Sequence, residues 1–107
     1  MRQLSIIIVS WNVQSFLSVC LNSLQRACGD VDVEVIVVDN ASIDGTREWL
    51  KEFERMVADE ENHFLNRRLR VVLNDDNKGF AVANNRAMVF ATGEFVLLLN
   101  PDTECID

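Results

Sequence analysis

Two acidic residues follow apolar runs in a way that suits ligand chemistry. Asp39 closes the run Val33 to Val38, and Asp102 follows Asn100-Pro101 after the run Phe95 to Leu99. A carboxylate at the end of a buried strand can accept hydrogen bonds from a base N–H or a ribose hydroxyl. It serves equally as a turn former or helix cap. Asp102 offers the hard oxygen taken by a divalent cation that bridges two phosphates, and such a cation neutralises charge on a leaving diphosphate. Asn-Pro-Asp is also ordinary turn chemistry, and Glu104 is either a helper or an exposed acid. Asn77-Lys78-Gly79-Phe80 opens a helical pattern whose first N–H groups and positive dipole end can face an anion. The alternative there is a loop that needs its glycine.

Other site chemistries are missing from the sequence. No G-x-G-x-x-G follows the first apolar run and no G-x-x-x-x-G-K-[ST] occurs, which argues against dinucleotide and P-loop binding. There is no Cys/His nucleophile pair. His63, the single histidine, lies in a charged stretch and reads as a surface residue rather than a general base. Trp49 falls on a helical stripe and is expected in the core. Trp11 sits where a ring can stack on a base or pack the end of a sheet, and packing is the expectation.

The elements that must position these residues alternate along 107 residues, a length that suits one domain. Leu4 to Val9 is nearly continuous in apolar, β-branched character, as a strand buried on both faces should be. Asn12 can cap the helix that follows, with Phe16, Leu17, Cys20, Leu21, Leu24 and Cys28 at helical spacing and Gly29 as its stop. Val33 to Val38 is a second strand. Ser42 or Asp44 can cap a second helix striped by Trp49, Leu50, Phe53 and Val57, with an exposed loop over Asp59 to Asn66. Leu69 to Leu73 is a third strand. Phe80, Ala83, Ala87, Met88 and Ala91 mark a third helix, and Phe95 to Leu99 a fourth strand. The order β-α-β-α-β-α-β predicts an α/β, three-layer domain with a mostly parallel sheet and right-handed crossovers. Polar residues gather past each strand end: Ser10 and Asn12, Asp39 and Ser42, Asn77 and Gly79, Asn100 and Asp102. In an open parallel sheet those ends share one edge, where ligands bind.

Composition narrows the partners. A net charge of −7 with no Lys/Arg stripe excludes nucleic acid as an electrostatic partner. Arg67, Arg68 and Arg70 read as a solvated loop cluster beside Asp59, Glu60 and Glu61. Three cysteines with no zinc spacing predict buried free thiols in a reducing compartment. With no signal peptide and no long apolar run, the expectation is a cytoplasmic domain, with peripheral membrane attachment left to sequence outside this chain.

Taken together, four segments resemble the inverting glycosyltransferases of family 2, whose GT-A fold starts with this order. They are Ser5-Ile6-Ile7-Ile8-Val9-Ser10-Trp11-Asn12, then Val37-Val38-Asp39-Asn40-Ala41-Ser42-Ile43-Asp44-Gly45-Thr46, then Asn77-Lys78-Gly79-Phe80 through Asn84-Asn85, and Leu97-Leu98-Leu99-Asn100-Pro101-Asp102-Thr103. The subgroup most similar includes rhamnosyltransferase-type enzymes of surface polysaccharide synthesis. The resemblance implies that Asp39 contacts the nucleotide base with Ser10 and Asn12 nearby. It implies that Asn77, Gly79 and Asn85 shape the donor site beside the diphosphate. Asn100 and Asp102 stand for the family's D-x-D motif, Asp102 binding Mg²⁺ or Mn²⁺ and Asn100 contacting ribose or sugar. The implied partners are a nucleoside diphosphate sugar and a saccharide or lipid-linked acceptor.

Inverting members take a carboxylate base from the second half of the domain, and no residue here matches it. The sequence is therefore expected to be an N-terminal nucleotide-sugar-binding domain, 1–107, truncated at its C-terminus and inactive alone. Two rivals stand beside this reading. One is a non-catalytic nucleotide-binding module of the same architecture. The other is a nucleotidyltransferase, which needs a Gly-rich basic loop where this chain has Ser10-Trp11-Asn12-Val13-Gln14. A receiver-type phosphorylation domain would need an acidic pair after the first strand, which is absent.

Overall fold

Four parallel strands form one open sheet in the order β3-β2-β1-β4. In this computed structural model the described residues are 4–12, 14–28, 32–59 and 68–101. The elements are β1 (Leu4–Ser10), α1 (Gln14–Cys28), β2 (Val33–Asp39), α2 (Thr46–Val57), β3 (Leu69–Leu73), α3 (Phe80–Met88) and β4 (Phe95–Leu99). The expected order is observed, and the sheet is parallel throughout. The first two strands each run one residue further than their apolar runs, to Ser10 and Asp39, because these two pair in register.

Side-chain alternation divides the sheet into two faces. Ile6 and Ile8 of β1 join Val33, Val35 and Val37 of β2 under Leu17, Cys20, Leu21 and Leu24 of α1 and Leu50 of α2. Ile7, Val9, Ile36 and Val38 face the other way and meet Ala83 and Ala87 of α3. The result is three layers, with two helices on one face and one on the other. Trp49 and Phe53 pack against the first cluster, their rings 5.0 Å apart.

The strand order carries the functional consequence. The chain moves from β1 outward to β2 and β3, then returns across the sheet to lay β4 on the far side of β1. Connections on the two sides of the β1–β4 seam therefore diverge and leave a crevice at the strands' C-terminal ends. β1 and β2 are almost fully buried, as their unbroken apolar runs require. β4 is different: Phe95, Val96, Leu97 and Leu98 are all exposed on an edge strand. Its start is pinned at Gly93, where a Cβ would lie 2.6 Å from the Ser5 backbone nitrogen.

Local details correct three expectations. Asn12 does not cap α1. It adopts a positive φ of 52°, and its Oδ1 accepts the Ile43 N–H at 2.8 Å, so it ties two loops together. The cap position of α2 is Gly45, without a side-chain bond. Ser42 is engaged elsewhere, and Asp44 accepts the Thr46 N–H at 3.0 Å. Trp11 is 54% exposed instead of packing the sheet end. Cys20 is buried, as expected, with its thiol 4.0 Å from the Asn100 carbonyl. Arg68 pairs with Asp32, and the Arg70 guanidinium lies 4.5 Å from the centre of the Phe90 ring. His63, Arg67 and Cys105 lie outside the described residues, and no described helix is long and apolar enough to cross a membrane.

Candidate functional site

The ends of β1 and β2 are joined by a polar knot built on Asp39. Ser10 and Asp39 are cross-strand neighbours on the α1/α2 face, and both are fully buried. The Ser10 hydroxyl donates to Asp39 Oδ1 at 3.1 Å, and the Ser42 hydroxyl donates to the same oxygen. The Ser42 N–H donates to Oδ2 at 3.0 Å, and Arg47 Nη1 lies 3.7 Å from that oxygen. Asn12 joins the knot through its N–H, which donates to Ser42 Oγ at 2.9 Å. A buried carboxylate is tolerable only with such a set of donors and a cation beside it. The loop that supplies them holds Ala41 at a positive φ of 63°, a conformation that crowds a Cβ.

One residue later the surroundings change. A cleft of about 300 Å³ opens at the strands' C-terminal edge, lined by Val9, Trp11, Asn40, Asn77, Phe80, Asn100 and Pro101. It draws on the ends of β1, β2 and β4 and the first residue of α3, which is the crevice that the strand order requires. Trp11 and Phe80 expose more than half of their surface, so two aromatic rings border a cleft whose remaining lining is the amides of Asn40, Asn77 and Asn100 with Val9 and Pro101. The lining contains no carboxylate or imidazole among the described residues.

The sequence-derived residues divide between these two places. Asn77 and Asn100 line the cleft. Gly79 adjoins it, at φ 98° and ψ 168°, a backbone state that only glycine adopts readily. Ser10, Asn12 and Asp39 form the knot and do not line the cleft. The reason is the period of the strand. Asp39 shares a side with Val35 and Val37, whereas the cleft belongs to the side of Val9, Ile36 and Val38. Asn85 is exposed on α3 and is not among the lining residues, whereas its neighbour Asn84 is buried. Asp102 lies outside the described residues. Sequence reasoning passed over Asn40 and Phe80. Asn40 was overshadowed by the acid before it, and Phe80 by its place in an apolar helical pattern. The signal for Phe80 was its position at the first helical residue, where a side chain has no turn before it to pack on.

Asn40 also organises the cleft wall. Its Nδ2 donates to Asn77 Oδ1 at 2.9 Å, and its Oδ1 accepts from Asn74 Nδ2 at 3.1 Å. The Gly79 N–H donates to the same Asn77 oxygen at 2.9 Å. Below them, Asn74 is fixed by its backbone. Its N–H donates to the Asp39 carbonyl at 2.9 Å, and its own carbonyl accepts from Arg47. Arg47 thus bridges the knot and the cleft wall.

A family model, Glycosyl transferase family 2, matches residues 5–107. The chain belongs to that family. The family 2 domain is 35% identical over 99 residues to a PGL/p-HBAD biosynthesis glycosyltransferase of Mycobacterium bovis, covering 92% of this chain and 34% of that protein. Among solved structures it resembles S. aureus TarS 1-349 in complex with UDP-GlcNAc, with 30% identity and a TM-score of 0.72 over 94% of this chain and 26% of that one. It also resembles the mannosyltransferase PcManGT of Pyrobaculum calidifontis, in complex with GDP-Man and Mn²⁺, with 26% identity and a TM-score of 0.75 over 97% of this chain and 29% of that one. These neighbours show the GT-A architecture for the described strands and helices. The family 2 domain spans a quarter to about a third of the length of the curated relatives it matches.

Proposed function

We propose that this domain binds the nucleoside diphosphate part of a sugar donor, in a protein that transfers the sugar to an acceptor hydroxyl. The observation that carries this reading is the amide- and aromatic-lined cleft at the crevice between β1 and β4. A flat base can stack on an exposed ring, and neutral amides offer N–H groups to anionic or carbonyl oxygens without a charge that would trap the product. The TarS and PcManGT structures hold UDP-GlcNAc and GDP-Man respectively, which supports a donor of this class.

In this reading Trp11 and Phe80 flank the base, Asn40 and Asn77 supply polar contacts, and Asn100 reaches ribose or sugar. Asp39 acts from behind, with Ser10 and Asn12, by holding the loop that ends in Asn40. Asp102 follows Pro101 in sequence and offers the carboxylate oxygen that Mg²⁺ or Mn²⁺ takes. The donor set fits that cation. The neighbouring Asn100 leaves one charged ligand where a D-x-D motif has two, and the nucleotide's phosphates supply others. When bound, the ion would neutralise charge on the departing diphosphate. The described part of the cleft holds no group to deprotonate an acceptor, so an inverting displacement would take its general base from elsewhere in the protein. A saccharide or lipid-linked acceptor, a rhamnosyl-type donor and a cytoplasmic site at the inner membrane face complete the proposal.

Titration calorimetry with UDP, GDP and dTDP, each with and without Mn²⁺, tests it. The expected result is binding of at least one of them, tightened by the metal. Binding that ignores Mn²⁺ would remove Asp102 from its assigned role. Heat from none of them would remove the nucleotide reading altogether.

A further inference from the structure

The orientation of the three amides in the cleft wall is set by a group that cannot be turned around. The Gly79 backbone N–H donates to Asn77 at 2.9 Å, so the Asn77 atom it meets is the oxygen. That same oxygen is 2.9 Å from Asn40, so Asn40 must offer its NH₂ there. The Gly79 carbonyl, 3.4 Å from the same Asn40 nitrogen, agrees. With its nitrogen committed, Asn40 presents oxygen on its other side, and the atom of Asn74 that meets it at 3.1 Å must be a donor. The relay therefore runs one way, from Asn74 through Asn40 to Asn77. At its far end the Asn77 NH₂ has no partner among the described residues, and Asn77 is exposed on the cleft.

We infer that Asn74 and Asn40 are positioning residues that hold Asn77 with its N–H donors toward the ligand, and so select an acceptor oxygen there. That oxygen belongs either to a phosphate or to a base or ribose of a nucleoside diphosphate. This inference rests on the nucleotide reading above. It extends the site to Asn74, a buried residue that stands behind Asn40 and does not itself line the cleft. Without the Asn40 donor only the Gly79 N–H opposes a turn of the Asn77 amide, which would meet the same ligand oxygen with its own oxygen, a repulsive pairing. The backbone bonds of Asn74 to Asp39 and Arg47 keep the start of the relay in place.

The substitution that reads polarity without changing shape is Asn74→Asp in the full chain. An ionised carboxylate facing the Asn40 oxygen reverses the pull along the relay, whereas a protonated one donates and restores it. Affinity for the best-binding nucleoside diphosphate should fall about tenfold at neutral pH, the loss of one hydrogen bond. It should recover as the introduced carboxyl takes up its proton, toward about pH 5 or below. The charged groups around this position are Arg47 and Asp39 from the neighbouring elements and Asp75, Asp76 and Lys78 on its own loop. Wild type contains all of them, so the variant-to-wild-type affinity ratio at each pH isolates the new group. Asn74→Ala should lose affinity with a pH-independent ratio. A merely structural role would give both variants the same flat ratio, and that result overturns the inference.

Asn77→Asp is the second variant, for use should position 74 tolerate no change. It keeps acceptors for Gly79 and Asn40, removes the outward donors and adds one negative charge, which uncharged nucleosides do not feel as repulsion. It should melt with wild type and bind at least about tenfold more weakly. Weakening toward free nucleosides as well assigns the ligand oxygen to base or ribose, and weakening confined to diphosphates and pyrophosphate assigns it to phosphate. Wild-type affinity in this variant overturns the inference. Failure of wild type itself to bind any nucleoside diphosphate overturns the nucleotide reading and this inference with it. Binding by wild type beside a pH-flat Asn74→Asp ratio overturns this inference alone.

Discussion

Asp39 and Asn40 are consecutive in sequence and opposite in circumstance. Asp39 is buried on the α1/α2 side with both oxygens engaged by Ser10, Ser42 and Arg47. Asn40 borders an open cleft and donates a hydrogen bond to Asn77, an exposed residue of the lining. The charged group therefore acts as a fastener, and the neutral one stands where a ligand can reach it. The physical reason is that a carboxylate can be buried only where donors are preorganised around it, while an amide can give and accept in turn along a wall. The difference also means that substitutions on the two sides of this peptide bond should report on different properties.

The largest effect belongs to the fastener. Asp39→Ala strands the hydroxyl of Ser10 and the N–H and hydroxyl of Ser42, and takes the counter-charge from Arg47, which keeps its bond to the Asn74 carbonyl. Removing one partner from a buried, hydrogen-bonded charge costs about 3–5 kcal/mol. Urea denaturation should show a loss of that order, with any loss of nucleotide affinity following from the disordered loop. A variant as stable as wild type but unable to bind would place Asp39 in direct contact with the ligand and dissolve the contrast.

The next effect belongs to the cleft and should spare stability. Trp11 is 54% exposed, so Trp11→Ala removes little buried surface, and its change in stability should stay within about 0.5 kcal/mol. If the ring stacks on a base, affinity should fall by about 1–3 kcal/mol, the range for base–aromatic stacking. Calorimetry and denaturation on the same preparation give both numbers. A stability loss without an affinity loss would return Trp11 to the packing role that its place at the strand end suggested.

Much of this contrast was legible in the sequence. The unbroken apolar runs of β1 and β2 require burial on both faces, and they sit where the structure has its central strands. The polar residues past each strand pointed to the C-terminal edge of the sheet, where the cleft opens. What sequence could not resolve was which side of the sheet each polar residue takes, because that depends on where each strand stops. With β2 running one residue past its apolar run, Asp39 takes the face of Val35 and Val37 and leaves the rim to Asn40. Phe95 to Leu99 shows the same limit from the other direction. Its apolar run resembles that of β1, yet its side chains are exposed, because burial depends on what lies beside a strand as much as on its composition. The amide relay was invisible for a related reason: Asn40, Asn74 and Asn77 are brought together by β2, β3 and the turn before α3, and no local spacing encodes it.

The smallest effect sharpens the comparison by asking whether an exposed carboxylate can fasten the same loop. Asp44 lies five residues after Asp39, on the surface, and its pKa is held below 3.8. The Thr46 hydroxyl bond is the main cause, aided by the Thr46 and Gln14 N–H groups against a smaller opposing effect of desolvation. A lowered folded-state pKa means that the ionised form is favoured by folding, so its contribution is complete well above the usual carboxylate value and disappears as pH falls through the lowered one. Stability curves of wild type and Asp44→Asn should therefore differ slightly at neutral pH and converge in acid. Solvent screening keeps that difference far below the effect of Asp39→Ala. A gap that stays constant from neutral pH down through this acid range would show that Asp44 contributes by shape and not by charge. The ionic fastening of the loop would then rest on Asp39 and Arg47.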